Sequence, residues 1–334
     1  MVSAMKRLKI GMIGCGGIAK VHVERLKTLA EGRLVAFADI AEERAKAFSK
    51  ENGGETYTDW REMLDKEMLD IVYICLPPFA HQDEVMVAAE KGIHVFIEKP
   101  IALNMELARK MVRAVEKSDV KSQVGYCNRF ACGIEEAKRL IHNGEAGEVG
   151  LALGWYWCHF VGGEWWRDKN RSGGQIVEQS THLFDVLRHL CGEVETAYGQ
   201  MNTRFWKDVP DLTIEDVSSS TFRFSSGAVG GIVATTWGVP NQWWFRLLIA
   251  ARDYTLFSEN PSTLTIYTTK APVKTKTISE ERDTFVLEAR DLVQAVLKDK
   301  DTRTPIQEGA KTLEFTLATR KSMETGKPVR LPLD

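Results

Sequence analysis

With 334 residues, 44% of them hydrophobic and 27% charged, the chain has the composition of an ordinary globular protein and a length that suits two domains. Its formal net charge of −2, without a basic stripe, argues against nucleic acid as a partner. The apolar run around residue 10 is too short and too glycine-broken to cross a membrane, and it lacks a cleavage-site pattern, so neither an anchor nor a secretory leader is expected.

That run opens the chain. In KIGMIGCGGIA (9–19) an apolar β-type stretch (Ile10, Met12, Ile13) enters a glycine turn, and a helical pattern follows at once. The glycines read G-x-G-x-x-A on Gly14, Gly16 and Ala19, with Gly17 and Ile18 opening the helix. Gly14 permits the tight turn, Gly16 lets backbone approach a pyrophosphate, and Ala19 lets strand and helix pack closely, with the helix amides facing the phosphates. Glycine turns after strands are common, so context decides. LVAFADI (34–40) reads as a second strand ending in Asp39, at about the twenty-residue distance expected of a ribose-binding carboxylate. Such a carboxylate accepts from ribose hydroxyls and repels a 2′-phosphate, favouring NAD over NADP. The other reading of Asp39 is a cap for the helix starting near Glu42, and Arg44 is close enough to pair a 2′-phosphate and blur the NAD preference.

Strands and helices then alternate to about residue 125. VHVERLKTL, EERAKAFSKEN, HQDEVMVAAEKG and NMELARKMVRAVEKS read as helices; DIVYICLPP (70–78), HVFIEK (94–99) and KSQVGYC read as strands. Near-continuous apolar strands between amphipathic helices imply a doubly wound parallel sheet covered on both faces, an α/β Rossmann domain over residues 1–125. Ligands bind such sheets beyond the carboxyl ends of the strands. Those ends carry Gly14–Gly17, Asp39, Cys75–Pro78, Glu98–Pro100 and Tyr126–Phe130. Expected cofactor contacts there include Ile18, Ile40, Leu76, Pro77, Glu98, Lys99 and Asn128.

After about residue 150 the period changes. LALGWYWCHF, VETAYGQMN, DVSSSTFRF, AVGGIVATTW, FRLLIAARDYTLFS and TLTIYTT alternate with a period near two between turn residues, which implies a large, open, mostly antiparallel sheet. Helical patterns occur in QIVEQSTHLFDVLRHL (175–190), FVLEARDLVQAVLK and QEGAKTLEFTLATRKSME. Residues 126–334 are thus expected to form an α+β domain whose sheet needs a partner on its second face. The six cysteines (Cys15, Cys75, Cys127, Cys132, Cys158, Cys191) contain no C-x-x-C pair, which suits buried free thiols in a reducing, cytoplasmic compartment.

Five segments, IGMIGCGGIAKVH, PPFAH, GIHVFIEKPIALN, VGYCNRF and SGGQIVEQSTHLFD, resemble the glucose–fructose oxidoreductase / inositol 2-dehydrogenase (Gfo/Idh/MocA) family over nearly the whole chain. The resemblance implies a Rossmann domain plus an open-sheet domain and a bound nicotinamide cofactor. It also implies sugars, polyols or related compounds as substrates, and homodimers or homotetramers formed through the sheet face.

The chemistry can be argued from side chains as well. Oxidising a secondary alcohol sends a hydride to nicotinamide C4 while a base takes the hydroxyl proton. Lys99 ends a strand in the crevice, and Pro100 holds it extended. Partial burial beside a positively charged nicotinamide would lower its pKa, suiting a base or proton relay; the other reading is a surface lysine with its stem packed on the sheet. Glu178, His182 and Asp185 are spaced by four and three, so a helix would put them on one face as a carboxylate–imidazole–carboxylate stripe. A zinc site would require a third ligand at a recognisable spacing, which is missing, so no metal is expected. By resemblance His182 matches the catalytic histidine, whereas Glu178 stands where the family commonly has aspartate. His81 is expected to line the nicotinamide ribose pocket or cap the helix after Pro77-Pro78.

Nine tryptophans point to sugar rings or to sheet packing. Trp155, Trp157 and Trp237 suit packing. Trp165, Trp166 and Arg167 lie in the glycine-flanked loop FVGGEWWRDKNRSGG and are expected over nicotinamide and substrate, with Arg129 or Arg167 orienting a hydroxyl or carboxylate. The function expected is an NAD(H)-dependent oxidoreductase acting on a sugar, cyclitol or glycoside hydroxyl. The alternatives are a cofactor-retaining enzyme that cycles oxidation and reduction, as in glycosidic cleavage through a ketone, and a non-catalytic nicotinamide-dependent regulator.

Overall fold

The apolar runs of the first half become strands of one parallel sheet in the computed structural model, which describes residues 7–333. These are β1 (Leu8–Ile13), β2 (Gly32–Ala38), β3 (Glu55–Tyr57), β4 (Ile71–Ile74), β5 (His94–Ile97) and β6 (Ser122–Val124), in the order β3-β2-β1-β4-β5-β6. Every neighbouring pair is parallel. Ile71, Val72, Tyr73 and Ile74 have no exposed surface, because helices cover both faces. The strand order reverses between β1 and β4, the switch point at which such sheets open a ligand crevice.

Two elements here carry no strong sequence signal. The edge strand β3 is three residues of mixed polarity, and the helix Trp60–Lys66 is one short amphipathic stretch started by Asp59, whose side chain accepts from Arg61 N.

The domain boundary also needs correction. The chain through Cys127 forms one compact unit together with Asp283–Ala310, and the remainder forms another. The helix Thr284–Lys298, expected in the second domain, places Ala289, Leu292 and Val293 in the core of the parallel sheet with Ile10, Met12, Tyr73 and Phe96. Asp283 starts it, accepting from Phe285 N and Val286 N, and also pairs with Arg25 of the helix Gly17–Leu26. Amphipathic periodicity shows that this helix covers a sheet but not which one.

The second unit is built on nine strands: β7 (Val149–Trp157), β8 (Val194–Asn202), β9 (Val217–Phe224), β10 (Val229–Thr235), β11 (Trp244–Ala251), β12 (Tyr254–Asn260), β13 (Thr263–Thr268), β14 (Thr275–Ser279) and β15 (Val329–Arg330). Their order is β14-β13-β12-β11-β7-β10-β9-β8-β15, antiparallel except for β7 with β10. FRLLIAARDYTLFS, read as one strand, is divided by a turn at Arg252-Asp253 into β11 and β12. β14 is almost wholly exposed, so its sequence shows no burial pattern.

Along β7, Ala152 and Tyr156 are buried on the helix-covered face, while Leu151, Leu153, Trp155 and Trp157 point to the open face. Gly154 is needed for close packing: a Cβ there would come within 2.6 Å of the Leu183 side chain. Phe184, Phe222 and Phe315 meet edge to face in the core beneath. On the open face, Leu151, Leu153, Trp155, Thr221, Arg223 and Val233 line a broad depression of about 620 Å³. No helix among the described residues is long and apolar enough to cross a membrane.

Candidate active site

In the first unit the glycine turn is shaped by its neighbours. Gly14 has φ +86°, and a Cβ on it would lie 2.5 Å from the carbonyl oxygen of Cys75, so only glycine fits. Gly16 and Gly17 are different: nothing lies within 4 Å of where a Cβ would stand. Gly16 is the N-cap of the helix Gly17–Leu26 and no side chain caps that end. Open space in front of uncapped amides at the N-terminus of a ten-residue helix fits a dinucleotide pyrophosphate.

Asp39 does not cap the helix Glu42–Asn52, which has no side-chain cap. Its Oδ2 accepts from Cys15 N at 2.8 Å and its Oδ1 from Ala41 N at 2.8 Å. One carboxylate thus ties the glycine turn to the end of β2 and to the start of the next helix. Ile40 beside it is 94% exposed, an unusual position for an isoleucine and a ready apolar surface for an adenine. Arg44 is exposed and near enough to act on the Cys15 thiol, whose pKa burial first and then Asp39 push up to about 12 against the pull of Arg44.

His81 is buried, with Nδ1 2.7 Å from Glu84 Oε1, and Glu84 Oε2 accepts from Gln82 N. A carboxylate on Nδ1 favours the tautomer with the proton there. Nε2, buried and without a hydrogen-bond partner among the described residues, is then an acceptor. His81 therefore belongs to a buried pair with Glu84, a partner the sequence reading did not name.

Glu98 and Lys99 follow β5 directly. Glu98 is buried: its Oε1 lies 2.7 Å from His22 Nε2 and its Oε2 accepts from Lys99 N. Gly125 leaves it room, since a Cβ there would be 3.0 Å from the carboxylate. The Glu98 expected at the cofactor is thus an internal anchor beneath Lys99, which is itself half-buried. Glu288 is fully buried as well, and neither of its carboxyl oxygens has a partner among the described residues. Burial, then Glu98 and Asp291, hold its pKa far above the carboxylate range.

In the second unit the expected continuous helix is interrupted. Gln175–Glu178 and Thr181–Cys191 are separate, with Ser180 N donating to Gln175 O five residues back. The four-residue spacing of Glu178 and His182 therefore does not by itself place them on one helical face. Glu178 ends the first piece and His182 lies in the first turn of the second, both half-buried. The stripe to Asp185 is corrected too: Asp185 accepts from Arg129 Nε at 2.8 Å and Nη2 at 2.6 Å, and from Thr312 Oγ1 at 2.9 Å. Arg129 and Asp185 are both buried, so Arg129 is an interior ion-pair residue and not the substrate clamp expected of it.

Trp166, expected over nicotinamide and substrate, lies against Glu178. Its Nε1 donates to Glu178 Oε2 at 2.6 Å, and the indole packs where a Cβ on Gly162 would stand. Arg167 Nε donates to Gly162 O, bracing the same loop, and Trp165 is half-buried next to it. Asn128, in the turn Cys127–Phe130, is half-buried. Two carboxylates the sequence reading missed hold this region in place. Buried Glu215 accepts from Ile176 N and fills the space beside Gly174 (φ +92°). Buried Asp216 accepts from the backbone of Arg204, Phe205 and Trp206.

Residues 8–126 match the model of an oxidoreductase family with an NAD-binding Rossmann fold, and residues 134–271 match the Gfo/Idh/MocA C-terminal domain. The chain belongs to the Gfo/Idh/MocA family of NAD-binding oxidoreductases. It is 25% identical to a myo-inositol 2-dehydrogenase of Thermotoga maritima, over 97% of this chain and 98% of that one. It is 30% identical to a scyllo-inositol 2-dehydrogenase (NAD(+)) of Bacillus subtilis, over 69% and 67% respectively. In fold it is similar to a levoglucosan dehydrogenase solved with NADH and levoglucosan, with a TM-score of 0.91 at 20% identity over 98% of this chain and all of that one.

Proposed function

We propose that this oxidoreductase moves a hydride between nicotinamide C4 and a secondary hydroxyl or ketone carbon of a sugar, cyclitol or glycoside. The observation that carries this reading is the Glu178 carboxylate fixed by Trp166 Nε1, on the short helix that leads into the turn bearing His182. The names of the inositol and levoglucosan dehydrogenases support the substrate class.

Bound nicotinamide supplies the hydride acceptor or donor. Gly14, Gly16, Gly17 and Ile18 would hold the pyrophosphate; Asp39, Ile40 and Arg44 the adenosine; Leu76, Pro77 and His81 the nicotinamide riboside. The carboxylate of Asp39 favours NAD over NADP. His182 acts as the acid/base that takes the hydroxyl proton on a ring nitrogen. Lys99 Nζ is its relay or electrostatic partner, and the Glu178 carboxylate orients the substrate hydroxyls with Trp165, Trp166 and Arg167. The open face of the nine-stranded sheet is the surface for a homodimer or homotetramer, and six buried free cysteines suit the cytoplasm.

The test is absorbance at 340 nm with purified protein, NAD and a panel of cyclitols, monosaccharides, anhydrosugars and glycosides. Net NADH from at least one of them is expected. Product without net NADH would assign internal redox cycling instead, and saturable NAD binding without any turnover would assign a regulator.

A further inference from the structure

We propose that Phe160 and Trp243 form a subsite for a second ring of the substrate, so that the preferred substrate is a glycoside and not a free monosaccharide. The inference rests on the reading that Glu178 and His182 address the reacting sugar.

A row of aromatic side chains leads away from Glu178. Trp166, only 4% exposed, donates its indole N–H to the carboxylate. Phe160 packs edge-on against Trp166, with ring centroids 5.4 Å apart and planes at 75°. Trp243 follows, 5.7 Å from Phe160 and tilted by 46°. Buried Tyr156 supports Trp243 from below at 6.3 Å and 87°. Exposure rises along the row, to 40% at Phe160 and 56% at Trp243. Its inner end is thus fixed at a polar group, and its outer two rings present aromatic surface to solvent.

Both outer residues are tied to the sheet, Phe160 through its backbone and Trp243 through a ring contact. Phe160 N donates to Thr236 O, and Trp243 stands on the Tyr156 ring at the entry to β11. A preformed platform loses little side-chain entropy on binding.

The row is also separate from the open sheet face. Tyr156 points to the helix-covered side of β7, whereas Trp157 points to the other side and stacks on Trp244 at 5.4 Å and 14°. Successive residues Trp243 and Trp244 therefore serve opposite faces, and a second copy seated on the open face would meet Trp244, not Trp243. A ring with one apolar face, either the C–H face of a pyranose or an arene, is the chemistry such a platform takes.

The experiment is calorimetric titration of the NADH-loaded protein, wild type and the variants Phe160→Leu and Trp243→Leu. The probes are myo-inositol, glucose and galactose, the methyl and phenyl glycosides of the two sugars, and glucose disaccharides. For at least one sugar, the phenyl glycoside or the disaccharide is expected to bind about tenfold tighter than the methyl glycoside, or more. Each variant should remove most of that gain while leaving methyl-glycoside affinity and the solution mass unchanged. A gain confined to phenyl glycosides identifies an arene, and one confined to disaccharides identifies a sugar ring. Equal binding of ring-bearing and methyl glycosides overturns the subsite, as does equal loss of both in the variants, or a fall in solution mass for Trp243→Leu. Failure of every probe to bind, monosaccharides included, would instead overturn the sugar reading on which it rests.

Discussion

Asp39 reaches across 24 positions of sequence to hold the backbone amide of Cys15 at 2.8 Å, joining the end of β2 to the glycine turn after β1. A carboxylate in that position sets the shape of the turn, and in the proposed cofactor site it puts negative charge where a 2′-phosphate would lie.

Asp39→Ala removes both the charge and two backbone anchors, at Cys15 and Ala41. Hydrogen bonds to a charged group contribute about 1.5–3 kcal/mol each, so a clear drop in thermal midpoint without cofactor is expected. NAD affinity should fall by about tenfold or more, and NADP affinity by less. Titration of both cofactors checks this; an unchanged NAD/NADP ratio would reduce Asp39 to a turn anchor.

His22→Ala leaves Glu98 buried opposite an empty space. Removing one partner of a buried pair costs about 3–5 kcal/mol. Turnover should fall with it, because Glu98 Oε2 accepts from the backbone of Lys99, while NAD affinity changes little. Urea denaturation and initial rates test both halves; a variant as stable as the wild type would show that the pair contributes nothing.

The parts of this arrangement legible in the sequence are those written in consecutive residues. The glycine turn, Asp39 and Lys99 sit at the ends of apolar runs, so strand periodicity alone places them at one edge of the sheet. The glycine-flanked loop likewise marks Trp166 as a candidate, though not its bond to Glu178. The pairs His22–Glu98 and Arg129–Asp185 join residues 76 and 56 positions apart, and a single sequence carries no signal for such contacts. Arg129 was misplaced for that reason, since a lone arginine in a loop reads as a ligand-binding group until its carboxylate is found. The break between Glu178 and His182 escaped because QIVEQSTHLFD is uninterrupted helix by propensity, and only backbone geometry reveals the longer bond at Ser180.

Stability should fall with acid through His189. Burial first, then the charges of Arg129, Lys138 and Arg188, lower its pKa to about 2. The unfolded chain takes up this proton below the ordinary value of 6.5 and the folded chain does not, so stability is lost as pH falls from 6.5 toward 2. At pH 5 the penalty is about 2 kcal/mol. In urea denaturation at pH 7 and pH 5, His189→Gln should show a shallower loss than the wild type; parallel losses would contradict the assignment.

Glu288 acts at the other end of the scale. Its folded pKa is raised, so its contribution is fully present below the ordinary carboxyl value of 4.5 and is lost as pH rises. Glu288→Gln, neutral at every pH, should flatten the decline between pH 5 and pH 8 and be at least as stable as the wild type at pH 8. A variant markedly less stable at pH 8 would mean that the carboxylate is ionised and paired in the fold.

The proton chemistry assigned to His182 and Lys99 is tested most directly by turnover of His182→Ala and Lys99→Ala at 340 nm, with saturating NAD and a substrate identified from the panel. Loss of about two to four orders of magnitude in kcat is expected for each, the scale of a positioned acid or base, with the dissociation constant for NAD unchanged in His182→Ala. Wild-type turnover in either variant would contradict the role assigned to that residue.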